Sequence, residues 1–409
     1  MNAVHTRLAA LPLALAALVA AAPALAAPAP PPSDAAIAAD FTPAARVVAR
    51  VVACTDDSAP LPDAAPEKVV RAHCKVVKAA MARYEKRWLD KALPFLRGVV
   101  PAGLPKVVVY PFGGADLTNA LAVFPDADEI TTISLEHAGD PRILGELDKS
   151  TLRRSLSQHA EFLQKLFAVN HNRTIDLGAL DGSGLPGPLV FALVGLGVHH
   201  RQLVGVRYFD LAPDGTIRYL TAADVEAADA TLEKKTGRAA ILARNARFGN
   251  VELVFTRAAG ASGPNQIFRH IRADLSDKAL ADNPALIAYL DRRAGGKKVT
   301  AMTKAASYLL WRDAFSTIRD WLLGHMAWMI SDSTGPTPFH AEAAGFEQVT
   351  YGAFKALMFS GTHAGEKALR ELFESQPRRD IPVFFGYPDK VNQKHLVITR
   401  PKGSKDPAP

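Results

Sequence analysis

The stretch 106–136, KVVVYPFGGADLTNALAVFPDADEITTISLE, decides the fold. A β-branched run, Val107 to Tyr110, ends in Phe-Gly-Gly-Ala-Asp; a helix-forming segment follows, and a second β-rich run ends in Glu136. This order predicts a βαβ unit and hence an α/β sheet with parallel strands. In nucleotide-binding crossovers a glycine turn lets the backbone approach the ligand, and an acid after the second strand accepts the ribose hydroxyls. Gly113 and Gly114 occupy the turn here, and Glu136 follows Gly113 by 23 residues, so these three are the weak cofactor-binding candidates.

A phosphate cradle does not follow. The third glycine of G-x-G-x-x-G is missing, and Asp116 puts negative charge where a pyrophosphate needs N–H groups. The plainer expectation is that Asp116 N-caps a helix at 117–124 while the glycines permit the turn. No cofactor is assigned. Tyr110, Asp116, Glu136 and His137 should still converge at the carboxyl edge of the sheet, where α/β proteins place their sites. Glu136 and His137 suit acid–base work if buried beside a cleft; the alternative is a solvated loop charge.

Working outward, the amino terminus reads MNAVHTRLAALPLALAALVAAAPALAAPAP. Arg7, the apolar run Leu8–Val19 and Ala24-Leu25-Ala26 form a cleavable export signal over 1–26. The run is short for a membrane span, no later apolar segment is long enough, and no lipidation cysteine follows, so the expected product is periplasmic or secreted and not integral to the membrane. The Pro-rich 27–33 is a linker, 34–98 a helical hairpin, 99–400 a mixed α/β domain, either one unit or two halves at 99–222 and 247–400, and 401–409 a tail. Cys54 and Cys74 are the only cysteines. In an oxidising compartment they predict one disulfide, placed at the open end of the hairpin. The net charge of +7 is spread along the chain without interleaved aromatics, which argues against nucleic acid and leaves a small molecule or an envelope component as partner.

The hairpin helices are expected at 34–53 and 66–92. After the opening unit, 149–168 is an amphipathic helix, and the apolar run PLVFALVGLG (188–197) reads as a strand buried on both faces. Hairpins are predicted around Pro213-Asp214-Gly215 and between 251–257 and 265–275. Helices at 283–293, 302–311 and 313–326, a strand at 327–332, a helix at 364–375 and a strand pair, 382–387 with 394–400, complete the reading. The fold class is α/β: a mixed, partly parallel sheet with flanking helices and antiparallel hairpins, plus the N-terminal helical hairpin.

Other motifs fall short. His199-His200 on a strand would face opposite ways, and no H-E-x-x-H occurs, so no metal site is predicted. DGSGLPG (181–187) lacks the first glycine of a nucleophile elbow, and AGGKKVT (294–300) lacks the hydroxyl residue of a phosphate loop. SDSTGPTPFH (331–340) supplies Asp332, Ser333 and His340, the types a triad uses, in a sequence that equally suits a turn. Trp311, Trp321 and Trp328, at helical spacing with Tyr308 and Phe315, read as core packing before carbohydrate stacking.

Two resemblances bear on function. LAVFPDADEITTISLE is similar to the second-strand segment of class I methyltransferases, although an exported chain would lack their cofactor. YPFGGADLTNALAVFPDADEITTISLE, FRHIRADLSDKALADNPALIAYL, KAASYLLWRDAFSTIRDWLL and ISDSTGP, colinear over about 106–400, resemble a family of exported bacterial proteins of unknown function. In that pattern an acid is common where Ser331 stands, which weakens a paired-carboxylate reading at Asp332. The resemblance implies one continuous unit and no particular chemistry. The catalytic candidates are therefore Asp116, Glu136, His137 and Asp332, within an envelope protein expected to bind a small molecule or to act non-catalytically; the alternative is a transferase- or hydrolase-like enzyme using the carboxyl edge.

Overall fold

A computed structural model describes residues 38–114, 116–170, 184–232, 237–357 and 363–404. The expected export signal, the expected linker, the start of the expected first helix, positions 181–183 of the DGSGLPG motif and the end of the tail lie outside the described residues.

Ten strands form one sheet: β1 (Val107–Pro111), β2 (Glu129–Ser134), β3 (Leu203–Leu211), β4 (Ile217–Tyr219), β5 (Asn250–Phe255), β6 (Gln266–Arg272), β7 (Val299–Thr303), β8 (Met326–Ser331), β9 (Phe346–Gly352) and β10 (His395–Pro401). Their order is β4-β3-β5-β6-β2-β1-β7-β8-β10-β9. The centre, β6-β2-β1-β7-β8, is parallel throughout. Antiparallel strands close both flanks, β5-β3-β4 on one side and β10-β9 on the other. The opening stretch thus forms the central parallel pair, with Val107 opposite Glu129 and Pro111 opposite Ile133. The chain leaves β1 for β2 and β6 on one side and returns to β7 and β8 on the other, so the order reverses between β1 and β7.

Both predicted hairpins form. β3 and β4 pair across the Pro-Asp-Gly turn, with Leu211 opposite Ile217. Gly215 is required there twice: its φ is +80°, and a Cβ would fall 2.2 Å from the Tyr289 nitrogen. β5 pairs antiparallel with β6.

Helices cover both faces. On one, the helices Thr42–Val48, Glu67–Tyr84, Asp90–Val99, Leu117–Val123, Lys149–Val169 and Gly187–Val198 enclose a core in which Val48, Val77 and Leu96 of the N-terminal segment join Val108 and Ile130 of the sheet. On the other, Leu286, Leu290, Ile318 and Leu322 pack on Val109, Ala301 and Met329. Burying both faces is what lets the central strands read as nearly continuous apolar runs.

Several expected elements differ. The run 188–197 is a helix, Gly187–Val198, apolar and buried around almost its whole circumference. A helix apolar on every side has no amphipathic period to distinguish it from a buried strand. Its Gly195 lies so close to the helix Leu117–Val123 that a Cβ would sit 3.0 Å from the Thr118 nitrogen. The expected helix 302–311 is the end of β7 followed by a 3₁₀ turn, Ala306–Trp311. PVFFGY forms no strand; β10 pairs with Phe346–Gly352 instead. The first hairpin helix is Thr42–Val48, prolonged by a π turn through Ala53.

The disulfide Cys54–Cys74 is present. It lies beside the connecting loop and not at the open end, because Cys54 is the first residue past the π turn and Cys74 stands two turns into Glu67–Tyr84. No described helix is long and apolar enough to cross a membrane.

Candidate functional site at the carboxyl edge

The parallel strands β6, β2, β1, β7 and β8 end on one edge, which carries His270, Glu136, Asp116, Lys304 and Asp332 in or just beyond their last residues. Two halves with different chemistry occupy it.

At the reversal between β1 and β7 the Asp116 carboxylate is fully occupied. Asp116 caps the helix Leu117–Val123 as expected, its Oδ1 accepting from the Asn119 backbone N–H (3.2 Å) and side-chain amide (2.7 Å). Its Oδ2 accepts from the Tyr110 hydroxyl (3.0 Å) and pairs with Lys304 Nζ (2.9 Å), which is 3% exposed and stands 5.8 Å from the centre of the Phe385 ring. Burial, then the charges of Asp116 and Asp332, pushes the Tyr110 phenol well above its ordinary range. The glycines serve the chain itself: Gly113 passes so close to Tyr110 that a Cβ would meet the ring at 2.7 Å, and Gly114 takes a left-handed φ of +54°.

Asp332 is fully buried and equally occupied. Oδ2 accepts from the Ala305 N–H (3.0 Å) and the Tyr387 N–H (3.1 Å); Oδ1 accepts from the Thr334 N–H (2.8 Å) and hydroxyl. It therefore ties the ends of β7 and β8 to the 384–387 segment. Ser333 follows it, buried and with its hydroxyl unpartnered. The triad types do not assemble. His340, on the helix Pro338–Ala343, bonds Thr337 Oγ1 (2.8 Å) and lines a cavity of ≈ 810 Å³ with Lys298, Met326 and Phe346, at the opposite edge where β7, β8 and β9 begin.

The β2–β6 half is different. His270, wholly buried, sits with Nε2 2.8 Å from the Glu136 carbonyl oxygen and Nδ1 3.1 Å from that of Gly114, and as a neutral ring it donates its one N–H to one of the two. Burial lowers its pKa. Beside it, Glu136 is 5% exposed and neither carboxylate oxygen has a hydrogen-bond partner. Ser134 Oγ and His137 Nδ1 on the same strand end are unpartnered too. Burial, helped by Arg272 and His270, lowers the His137 ring to about 4, so it is neutral at ordinary pH. Leu135, between Ser134 and Glu136, is half exposed.

Six acids are buried among the described residues, and five have a counter-charge or donors. Glu129 and Glu252 share Arg269 (2.6 and 2.8 Å), Asp140 meets Arg142 (2.7 Å), Asp332 has four donors, and Asp389 accepts the N–H groups of Lys355, Val391 and Gln393. Glu136 is the exception. Its strand lies three positions from that of Asp332 in the sheet order. At ~4.8 Å per strand their strand axes stand roughly 14 Å apart.

The remaining candidates are structural. The Trp311 indole donates to the turn carbonyl of Gly335 and the Trp321 indole to Asp291, while Trp328 packs edge-on to Phe124. His199 meets the Thr118 carbonyl while His200 is exposed, and no group of three potential metal ligands exists among the described residues. Lys304 was not singled out from sequence; a lysine directly after an apolar β run was the available signal. Comparison with protein-family models, curated proteins and solved structures finds no match for this chain.

Proposed function

We propose that this is an exported envelope protein, periplasmic or secreted, that binds a small molecule at the carboxyl edge of β2 against Glu136. The unmatched Glu136 carboxylate carries the reading. A buried charge without a partner costs several kcal/mol, and such a cost persists where function needs it. The satisfied state of Asp116 and Asp332 favours binding over acid–base catalysis at a shared centre. The signal-like segment at 1–26 and the Cys54–Cys74 disulfide support export, as does the resemblance to exported bacterial proteins.

The strand order supports a second reading. In β6-β2-β1-β7-β8 the acid after β2 occupies the ligand position of doubly wound sheets, so the bound molecule would be the substrate of a transferase-like enzyme. Native mass spectrometry of protein exported through its own leader tests both. The expected result is a retained mass that Glu136→Gln abolishes. Release of that mass unaltered supports binding, release in altered form supports catalysis, and no retained mass in wild-type protein refutes the ligand seat.

A further inference from the structure

Building on the ligand seat at Glu136, we infer that the ligand presents two adjacent hydroxyls to that carboxylate: it is a vicinal diol, a sugar or a phosphate-free nucleoside. The unpartnered atoms set the requirement. An ionised carboxylate only accepts hydrogen bonds, and here both oxygens are enclosed without a protein donor, so a ligand seated there must bring donors. Two neighbouring hydroxyls give two charge-assisted bonds, one to each oxygen. Ser134 Oγ and His137 Nδ1, also free, stand at the same strand end for a further hydroxyl.

The Arg272 guanidinium is near enough to help hold His137 neutral, so the ring beside Glu136 offers an uncharged partner to a neutral hydroxyl. A divalent cation lacks ligands, since no group of three exists among the described residues. Phosphate is opposed at the neighbouring turn, where the Asp116 carboxylate takes the Asn119 N–H and the Lys304 charge. The position agrees: an acid after the second strand of a doubly wound sheet is where ribose hydroxyls are held.

The test uses the mature chain and its Glu136→Gln variant in calorimetric titrations at pH 7.5. The probes are D-ribose, adenosine, their 2-deoxy and 2′-deoxy counterparts, AMP and n-butylamine. The expected result is binding of at least one diol, with the deoxy counterpart and the Glu136→Gln variant each weaker by about tenfold or more, and AMP no tighter than adenosine. Binding of adenosine alone identifies a nucleoside; binding of ribose as well identifies the sugar. Equal affinity for diol and deoxy probes overturns the diol, as does butylamine binding that Glu136→Gln abolishes, while both leave the ligand seat standing. Silence from every probe overturns the diol too, and the native mass measurement then decides separately whether the seat survives.

Discussion

Asp332→Asn and Glu136→Gln make the same chemical change at two buried carboxylates, yet they should move stability in opposite directions. At Asp332 each oxygen serves two donors. Whichever way the new amide turns, its NH₂ faces donors and leaves one or two of them buried without an acceptor. At ~1–3 kcal/mol for each unmet group the loss is roughly 3 kcal/mol. Glu136 has no bond to lose. Replacing an unpaired buried charge by a neutral amide removes a penalty of several kcal/mol while keeping an unsatisfied polar group, a net gain of about 2 kcal/mol.

With ~2.1 cal/mol/K of unfolding entropy per residue, a body of this size moves roughly 1.3 °C per kcal/mol. Asp332→Asn should then melt ~4 °C lower and Glu136→Gln ~2–3 °C higher. The assay is thermal unfolding followed by circular dichroism at pH 7.5, without ligand, with urea titrations as a second scale. A Glu136→Gln protein that melts below wild type would show that the carboxylate has a stabilising partner, and the reasoning for a ligand seat would fail with it.

Three further outcomes follow from single contacts. Gly386→Ala would place a Cβ 2.0 Å from Asp332 Oδ2, so it should cost ~2–3 kcal/mol by overpacking, read as a lower urea midpoint; an unchanged midpoint would contradict the packing. His159 is wholly buried and burial lowers it to about 4. The unfolded chain takes up this proton first, from its ordinary 6.5 downward, so stability present above that pH drains by ~1.4 kcal/mol per pH unit down to about pH 4. His159→Phe, favoured by the neighbouring Phe191 ring, should flatten the pH profile by that slope. Replacing both Cys54 and Cys74 by Ala opens a link of sequence separation 20 and should cost ~3 kcal/mol; two reactive thiols in oxidised, unfolded wild-type protein would disprove the bridge.

The parts of the fold legible in the sequence were those with a local cause. The β1–β2 crossover carries its own turn and cap, the Pro213-Asp214-Gly215 hairpin its own φ requirements, and Lys149–Val169 an apolar stripe. Gly187–Val198 was misread because burial on nearly every side erases periodicity. β9 was missed because FEQVTYG mixes polar residues on both faces, as an edge strand can, whereas the apolar PVFFGY attracted the assignment. Its Gly386 in fact exists to pass Asp332. At the site, Glu136 was legible as the acid ending a β run. That it lacks a partner was not, since this depends on where every other donor in the fold ends up. Lys304 as the counter-charge of Asp116 was hidden for the same reason: only the reversal between β1 and β7 brings the two together.

The two halves of the carboxyl edge depend on each other. A buried carboxylate relaxes toward any donor within reach, so Glu136 stays unpaired only if its surroundings are held fixed. Asp332 fastens the ends of β7 and β8 to the 384–387 segment, Asp116 fastens the β1 turn to Lys304 and Tyr110, and the buried His270 ring fills the space between the Gly114 and Glu136 carbonyls. The half with paired carboxylates thus supplies rigidity, and on the proposed reading the other half holds the buried Glu136 acceptors in place for a ligand, which would lower the ordering cost of binding. Acids of the same type serve opposite purposes along one edge, and the difference lies in whether the protein's own donors reach them.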